Sequence, residues 1–185
     1  MIDNLVFFLE EPSAQDFLQA ILPQVIPAHI TPHFLVFEGK QDLEKQLVKR
    51  MKRWLRPNSR FIVMRDQDSG DCRVIKKRLL NLCVEAGQPQ ATVRIVCKEL
   101  ETFFVGDWAA IAAGYQQPKL AAHAKKAKFR APDLLGSPST EIKRMIPTYQ
   151  KREGARTIAP HLSLARNQSS SFRVLMRTLQ DVAHA

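Results

Sequence analysis

The sequence predicts an α/β fold in which a mostly parallel sheet of about four strands is flanked by helices and followed by a C-terminal helical extension. The first observation is that four apolar runs of strand length alternate with three segments of helical periodicity. Each of these segments is long enough for the crossover that two parallel strands require. The second observation is that the alternation stops after Asp107. We therefore expect a core at residues 1–107 and a basic helical extension, packed on it, at 108–185.

The first two strands are predicted from apolar runs that turn-forming residues or helix breakers bound. Residues 4–9 (NLVFFL) have strand length, and Pro12 then opens a helix that Pro23 ends. The apolar positions of this helix are Phe17, Leu18, Ile21 and Leu22. The second strand is predicted at 33–37 (HFLVF), and Gly39 follows its end.

Two helices and two strands complete the predicted core. A helix at roughly 41–56 precedes a strand at 60–65, and a helix at 71–86 precedes a strand at 92–97 (TVRIVC). Gly87 stands where the residue after a helix C-cap belongs. The expected buried positions are Leu43, Leu47, Met51 and Trp54 in the first helix and Ile75, Leu79, Leu82 and Ala86 in the second.

The extension has weaker patterns. It begins with an alanine-rich piece at 108–114, and residues 118–138, rich in Lys, Pro and Ser, are expected to be its least regular part. The last helix is predicted at 170–183. Its apolar face comprises Phe172, Leu175, Met176 and Leu179.

The net charge of +10 is concentrated in the extension. Residues 1–107 hold 15 Lys and Arg against 14 Asp and Glu, a charge of +1, whereas residues 108–185 hold 13 against 4, a charge of +9. This asymmetry favours a polyanionic partner, and nucleic acid is the commonest one. A solvated basic surface with no specific role is the alternative. The candidate nucleic-acid contacts in this half are Lys125, Lys126, Lys128 and Arg130.

The chain is expected to be cytoplasmic and to have no contact with a membrane. Its N-terminus lacks the basic region of a signal peptide, and it has no apolar run of membrane-spanning length. Cys72, Cys83 and Cys97 form neither a CxxC motif nor an even disulfide framework, as is usual in a reducing compartment. The five His residues show no metal-ligand spacing, so no zinc site is expected.

Residues 61–71 (FIVMRDQDSGD) carry the clearest chemical signal. An apolar strand delivers Asp66 and Asp68 to its carboxyl end, which is the edge where ligands bind in open α/β sheets. Two carboxylates suit Mg²⁺, which leaves its other positions to water or phosphate oxygens. The alternative is a polar turn in which Asp71 caps the next helix.

Acidic side chains also follow two other strands. Glu10 and Glu11 come after the first strand, and Glu99 and Glu101 come after the fourth. Since the carboxyl ends of parallel strands share one edge, these groups can meet, and they would raise one another's pKa unless a cation neutralised them. A metal site explains the clustering, and a solvent-exposed acidic rim is the alternative.

This pattern resembles the Toprim catalytic domain of topoisomerases, primases and overcoming-lysogenization-defect nucleases. In that domain a Glu after the first strand and a later DxD bind Mg²⁺ for phosphodiester chemistry. Glu10 matches the Glu, and Asp66 and Asp68 match the DxD, although Glu11 replaces the usual Gly. Toprim domains often have another acid a few residues after the Glu, and Asp16 is too far along to match it, so the number of metals stays open.

Over nearly its whole length the chain is similar to the Toprim-like domain of unknown function family numbered 4276. The matching segments are FFLEEPS (7–13), FEGKQDLEKQL (37–47), RDQDSGDCRVIKKRL (65–79), KELETFFVGDWAAI (98–111), the K-x₂-GAR-x-IA segment at 151–159, and NQSSSF (167–172). Thr102 and Phe103 replace a common Ala-Trp pair of that family.

The resemblance implies a nuclease that hydrolyses DNA or RNA with Mg²⁺ or Mn²⁺. The implied catalytic residues are Glu10, Asp66, Asp68, Glu101 and Lys151, and the implied metal ligands are Glu10, Asp66, Asp68 and Glu99. Arg156, in the same motif as Lys151, would contact nucleic acid, and ordinary surface charge is the alternative for both. The resemblance further implies an effector subunit of a bacterial anti-phage defence module, with a partner ATPase of the ABC or overcoming-lysogenization-defect type.

Two other enzyme families that use an acidic pair after a strand fit the sequence less well than a nuclease, and a non-catalytic role is also considered. Haloacid-dehalogenase-like phosphatases need their acidic pair near the N-terminus, and here it comes after two strand–helix units and precedes Ser69 and Gly70. Nucleotide-sugar transferases use a DxD with Mn²⁺, but usually in a larger chain. A non-catalytic subunit that regulates an ATPase or binds nucleic acid is the second hypothesis.

Overall fold

The computed structural model describes residues 2–183, which include a four-stranded sheet with all strands parallel. The strands are β1 (Asn4–Leu9), β2 (Thr31–Val36), β3 (Ser59–Asp66) and β4 (Thr92–Val96). Their order in the sheet is β2-β1-β3-β4. The predicted α/β fold with a parallel sheet is therefore confirmed.

Helices connect the strands and form the rest of the described chain. They are α1 (Pro12–Ile21), α2 (Lys40–Lys52), α3 (Cys72–Glu85), α4 (Glu101–Val105), α5 (Trp108–Gly114), α6 (Pro138–Met145), α7 (Lys151–Ile158) and α8 (Ser170–Ala183). Short 3-10 segments lie at Leu22–Gln24, Pro118–Lys125, Ala127–Phe129, Pro132–Leu134 and Ala159–His161. Among the described residues, no helix is both long and apolar enough to cross a membrane.

Alternate residues of the central strand β1 pack on opposite faces of the sheet. Phe7 belongs to a core that includes Phe17 of α1, whereas Phe8 belongs to a core that includes Leu43 and Leu47 of α2. Helices α1 and α2 therefore lie on opposite faces, and the winding reverses between β1 and β3. In open α/β sheets the carboxyl side of such a reversal is where ligands bind.

Trp54 and Leu82, two predicted core positions, are only partly buried, although both pack against the core that contains Leu43 and Leu79. The helix predicted at 41–56 ends at Lys52, so Trp54 does not lie on its apolar face; its Nε1 donates instead to Ser59 Oγ (2.8 Å). Proline at 57 disfavours helical backbone just before it, which is consistent with the earlier end. In α3 the fully buried residue of the last turns is Cys83, and Leu82 is only half-buried.

The end of α3 follows the prediction. Gly87 has a φ of 78°, in the left-handed region that favours glycine. Its N–H donates to the carbonyl of Val84, and the N–H of Gln88 donates to the carbonyl of Cys83. These two bonds are the Schellman arrangement that satisfies the last carbonyls of a helix.

The segment after α4 is fastened to the C-terminal residues by buried polar contacts. The Asp107 carboxylate caps α5 at Ala110 N (3.2 Å) and accepts two hydrogen bonds from Arg166 (2.7 and 2.8 Å). A Cβ at Gly106 would lie 2.2 Å from Asn167 Oδ1, so only glycine allows this close approach. The first turn of α8 is capped by Asp133, which accepts from Ser170 N (2.7 Å).

Candidate active site

Glu10 and Asp66 lie on either side of the reversal between β1 and β3. Glu10 follows the last residue of β1, and Asp66 ends β3, so both side chains reach the carboxyl edge of the sheet. Glu10 Oε2 accepts a hydrogen bond from the backbone N–H of Asp66 (3.2 Å). The Asp66 carboxylate turns toward β4 and accepts from the N–H of Leu100 (3.2 Å). The structure thus brings together two residues that are 56 positions apart in sequence.

Both carboxyl groups hold protons more tightly than they would in water. Burial raises the pKa of Asp66 well above its ordinary value, and the charges of Glu11 and Glu10 raise it further. Burial and then the charge of Asp68 raise the pKa of Glu10, while the Asp66 N–H and Arg65 lower it. Since neighbouring anions contribute to both shifts, a cation placed among these groups would be favoured.

Asp68 is placed differently from Asp66. It is 40% exposed, and its carboxylate accepts a hydrogen bond from Lys40 Nζ (2.7 Å) at the start of α2. Its backbone has a positive φ of 54° and its N–H donates to the carbonyl of Lys98 (2.8 Å), so the loop after β3 is tied to the end of β4. Asp68 is close enough to influence Glu10 electrostatically, but its carboxylate is paired with a lysine.

Glu101 is buried at the start of α4 and depends on one hydrogen-bond donor. Tyr149 Oη donates to Glu101 Oε1 (2.9 Å), while Glu101 Oε2 is buried without a partner. Burial raises the pKa of Glu101, which Lys151 partly offsets. The ring of Tyr149 packs against Gly154 of α7, where a Cβ would lie only 2.1 Å from Tyr149 Cε2. Sequence analysis did not predict a role for Tyr149. The only signal in the sequence is Gly154 of the GAR motif, because the Tyr149 ring leaves no room for a larger side chain there.

The carboxylates of Glu10, Glu11, Asp66, Asp68 and Glu101 form the acidic group of the sheet edge. Lys151, at the first position of α7, supplies positive charge to it. Its Nζ lies 3.3 Å from Glu11 Oε2. Burial lowers the pKa of Lys151, but the charges of Glu101 and Glu11 outweigh this and leave the pKa above its ordinary value. Asp66 contributes in the same direction. Lys151 is therefore an ammonium group held among carboxylates from three different strand ends.

Two predicted site residues have structural partners. Glu99 Oε1 accepts from the N–H of Ser139 (2.7 Å) and Oε2 accepts from its Oγ (3.0 Å), so Glu99 caps the first turn of α6. Arg156 Nε lies 3.3 Å from Asp16 Oδ1, and Arg152 donates two hydrogen bonds to the same carboxylate (2.7 and 3.2 Å). Asp16 thus fastens α1 to α7, a role that sequence reasoning did not assign to it.

The predicted nucleic-acid contacts of the extension lie on the surface. Lys125, Lys126, Lys128 and Arg130 are all exposed, in or beside the 3-10 segments at Pro118–Lys125 and Ala127–Phe129. Lys128 already has partners within the protein: its Nζ lies 2.6 Å from Glu141 Oε2 and 4.7 Å from the centre of the Phe129 ring. Lys125 and Lys126 are therefore the better probes of this surface.

The donors for a hard cation are oxygen atoms of carboxylates, chiefly those of Glu10 and Asp66. With the side chains as they stand, no three His, Cys, Asp or Glu residues in the described part of the chain form a metal-ligand group. The lysine contact of Asp68 keeps its carboxylate turned toward α2.

A family model matches the part of the chain that contains the strand ends and helices of this site. The sequence profile of a family described as a domain of unknown function (DUF4276) matches residues 9–180, from the end of β1 into α8. The chain belongs to the DUF4276 family. The matched range includes Glu10, Asp66, Asp68, Glu101 and Lys151. No curated protein and no solved structure shows significant similarity to this DUF4276 chain.

Proposed function

We propose that this DUF4276 chain is a Toprim-like, metal-dependent nuclease that hydrolyses phosphodiester bonds of DNA or RNA. The observation that carries the proposal is the meeting of Glu10 and Asp66 at the strand-order reversal, with both pKa values raised. A cleft at this point is where open α/β sheets bind their ligands. Buried titratable groups with specific charged neighbours are also typical of functional sites.

Glu10 is suited to act as the general base toward an attacking water. A base works best when its pKa approaches the operating pH, and burial together with Asp68 moves the pKa of Glu10 upward. The Asp66 N–H holds one Glu10 oxygen in place, which fixes the direction of the carboxylate. Lys151 supplies a fixed positive charge close to Glu101, Glu11 and Asp66, and such a charge favours an incoming phosphate.

The residues present fit a hard divalent cation in donor type and charge. Asp66 and Asp68 would hold Mg²⁺ or Mn²⁺, with Asp68 exchanging its lysine partner for the cation. Glu10 would act either as a further ligand or as the general base. Glu99 is left out of this set because both of its oxygens accept hydrogen bonds from Ser139. When bound, such a cation supplies Lewis-acid polarisation of the phosphoryl group and lowers the pKa of bound water.

The wider setting of the proposal rests on the Toprim resemblance. We propose that the chain is a cytoplasmic effector subunit of an anti-phage defence module, restrained by a partner ATPase of the ABC or overcoming-lysogenization-defect type. The exposed lysines at 125, 126 and 128 supply affinity for the nucleic-acid backbone without reading sequence.

One observation favours the alternative of a non-catalytic subunit. Lys40 and Lys151 already neutralise Asp68 and Glu11, so part of the acidic group is balanced by the protein's own cations. In a regulatory or nucleic-acid-binding subunit these pairs would be permanent structural contacts rather than contacts that a metal exchanges.

Cleavage of labelled DNA and RNA in Mg²⁺ or Mn²⁺ separates the two functions. The assay is run with and without the ATPase partner. We expect the wild type to cut when the partner does not restrain it, and Glu10→Gln and Asp68→Asn to lose cleavage while retaining binding. Asp181→Asn, which removes an exposed carboxylate of α8, serves as the matched control and should cut normally. If the wild type and all variants behave identically in every condition, the catalytic proposal is wrong.

A further inference from the structure

Residues 45–60 (KQLVKRMKRWLRPNSR) form a strongly basic segment that runs along α2 and past its end. The segment contains seven Lys and Arg and no Asp or Glu. Without it, the rest of residues 1–107 holds 8 Lys and Arg (15 less 7) against 14 Asp and Glu, a net charge of −6. The nearly neutral total of the core therefore conceals one basic segment and an acidic remainder.

The cations of this segment face solvent without acidic partners. Lys45, Lys49 and Lys52 stand at positions i, i+4 and i+7 of α2, so they share one side of the helix. The α2 basic face comprises these three residues and the flanking Arg50, Arg53 and Arg56, and all six are exposed. Within residues 2–183, none of the six forms an ion pair with Asp or Glu. Their positive charge is therefore free to act on a partner.

The helix dipole explains only part of this arrangement. Cations in the last turn of a helix are favourable, which accounts for Lys49, Arg50 and Lys52. The dipole does not account for Lys45, one turn earlier, or for Arg56, beyond the end of the helix. Like charges four residues apart, as at Lys45 and Lys49, destabilise a helix. A partner that carries negative charge would offset this repulsion.

The chemistry of the α2 basic face favours a polyanion over a lipid surface. A helix that lies on a membrane turns apolar side chains toward the lipid. In α2, Leu43, Leu47 and Met51 are buried in the core instead. Leu55, just beyond the helix, is 90% exposed, but one leucine buries too little apolar area for stable attachment. The face offers a row of charges about 4.5–6 Å apart along the helix, which suits the repeated phosphates of a nucleic acid.

We infer that the α2 basic face is a binding surface for the phosphate backbone of a nucleic acid. The inference deepens the proposed nuclease function, on which it rests for the identity of the polyanion. The helix begins at the acidic group, where Lys40 pairs with Asp68, and its 13 residues extend about 20 Å from there. A backbone bound along the face therefore reaches the candidate active site at the Lys40 end of the helix.

This surface is separate from the lysines at 125 and 126 of the extension. Leu120 and Phe129, which flank those lysines in sequence, belong to the core that contains Phe7. Helix α2 packs on the core that contains Phe8, on the opposite face of the sheet. The two basic surfaces can therefore be tested independently.

The test compares Lys45→Gln/Lys49→Gln with the matched control Arg173→Gln/Arg177→Gln of α8. In both pairs the residues are exposed and four positions apart on a helix, and the replacement removes two positive charges. Binding of a labelled single-stranded DNA, and of the RNA of the same sequence, is measured by anisotropy in EDTA, which suppresses metal-dependent cleavage. We expect the α2 variant to bind roughly 20-fold more weakly at about 0.1 M salt and the control to bind like the wild type. The salt slope of the α2 variant should fall by about 1.4, which is about 0.7 for each lost phosphate contact.

A charge-conserving variant separates loss of charge from loss of structure. Lys45→Arg/Lys49→Arg should bind like the wild type, and weakened binding by this variant would overturn the inference, because the two positions would then be structural. Equal affinities of the two Gln variants would also overturn it, since the affinity would then come from net charge. The same holds if the wild type binds neither DNA nor RNA, or binds only vesicles that contain phosphatidylserine, which would assign the face to a lipid surface.

These outcomes are separable from the fate of the proposed function. A wild type that cuts, together with a Lys45→Gln/Lys49→Gln variant that binds normally, removes the binding surface and leaves the nuclease in place. A wild type that never cuts, together with a Lys45→Gln/Lys49→Gln variant that binds roughly 20-fold more weakly, keeps the binding surface and removes the nuclease.

Discussion

Glu10 Oε2 and the backbone N–H of Asp66 are joined by a 3.2 Å hydrogen bond across the boundary between β1 and β3. The bond locks Glu10 to the strand that carries Asp66. It also makes each carboxyl group part of the other's surroundings, because the charge of Glu10 raises the pKa of Asp66. The electrostatic state of the site is therefore a property of the pair.

The first prediction concerns a divalent cation. Mg²⁺ or Mn²⁺ should raise the melting temperature of the wild type, since a ligand that binds the folded state stabilises it by about 2.7 kcal/mol at a hundredfold excess over Kd. Asp66→Asn should abolish this rise, while Asp181→Asn, far along α8, should keep it. Calorimetry with and without EDTA makes the measurement. An equal rise in Asp66→Asn and the wild type would remove Asp66 from the metal site.

The second prediction concerns the pH dependence of stability. The pKa of Asp66 is raised in the folded state, so from about pH 4 upward the Asp66 carboxyl group binds more protons in the folded protein than in the unfolded chain. The Asp66 contribution to the free energy of unfolding therefore falls as pH rises, by up to about 1.4 kcal/mol per pH unit. Asp66→Asn keeps an acceptor for Leu100 N and removes this slope. In urea denaturation between pH 4 and 8, the free energy of unfolding of Asp66→Asn should increase relative to that of the wild type as pH increases.

The third prediction tests the donor to Glu101. Tyr149→Phe leaves a buried carboxylate without its hydrogen bond and should cost about 1–3 kcal/mol at pH 7. The loss should shrink at pH 4, where Glu101, whose pKa is raised, becomes protonated. Tyr115→Phe is the matched control, because the Tyr115 hydroxyl is buried without a partner and its removal breaks no bond. Equal losses in the two variants would contradict this role for Tyr149.

The fourth prediction uses the close approach of α7 to the Tyr149 ring. Alanine is ordinarily better than glycine inside a helix by about 1 kcal/mol. Gly154→Ala should nevertheless destabilise the protein, because its Cβ would lie 2.1 Å from Tyr149 Cε2. Gly136→Ala should be tolerated, since a Cβ there meets nothing within 4 Å. The melting temperatures of both variants test this prediction. A Gly154→Ala variant that melts above the wild type would show that the Tyr149 ring is not held against residue 154.

The fifth prediction locates the affinity for nucleic acid. Lys125→Glu/Lys126→Glu should weaken binding to all sequences about equally and lower its salt dependence, because phosphate contacts release counterions without reading bases. Lys76→Glu/Lys77→Glu, on α3, changes the net charge by the same amount and should weaken binding less. If both reversals have the same effect, the affinity comes from net charge and not from the segment around residue 125.

The strands and the first three helices follow from local patterns that the sequence displays. The apolar run of β1, the prolines around α1 and Gly87 after α3 each act within a few residues, so periodicity and turn chemistry suffice. Trp54 is a counterexample, because its place depends on Ser59 rather than on helix periodicity.

The meeting of acids at one sheet edge was predictable because parallel strands end on the same side. Their individual partners were not. Glu99 caps α6 by accepting from Ser139, which lies 40 residues away, and Arg156 pairs with Asp16, which lies in α1. Such contacts depend on how α6 and α7 dock, which no local pattern encodes. Tyr149 escaped notice for the same reason.

The pairing of Lys151 with Glu11 across 140 residues has a consequence for synthesis of the protein. Glu11 leaves the ribosome first, and at about 5–20 residues per second Lys151 follows it roughly 7–30 seconds later. During that interval the nascent sheet edge lacks one of its cations and Glu101 lacks its tyrosine. The centre is therefore completed only when the chain is nearly finished, and a truncated product would carry the acids without the groups that organise them.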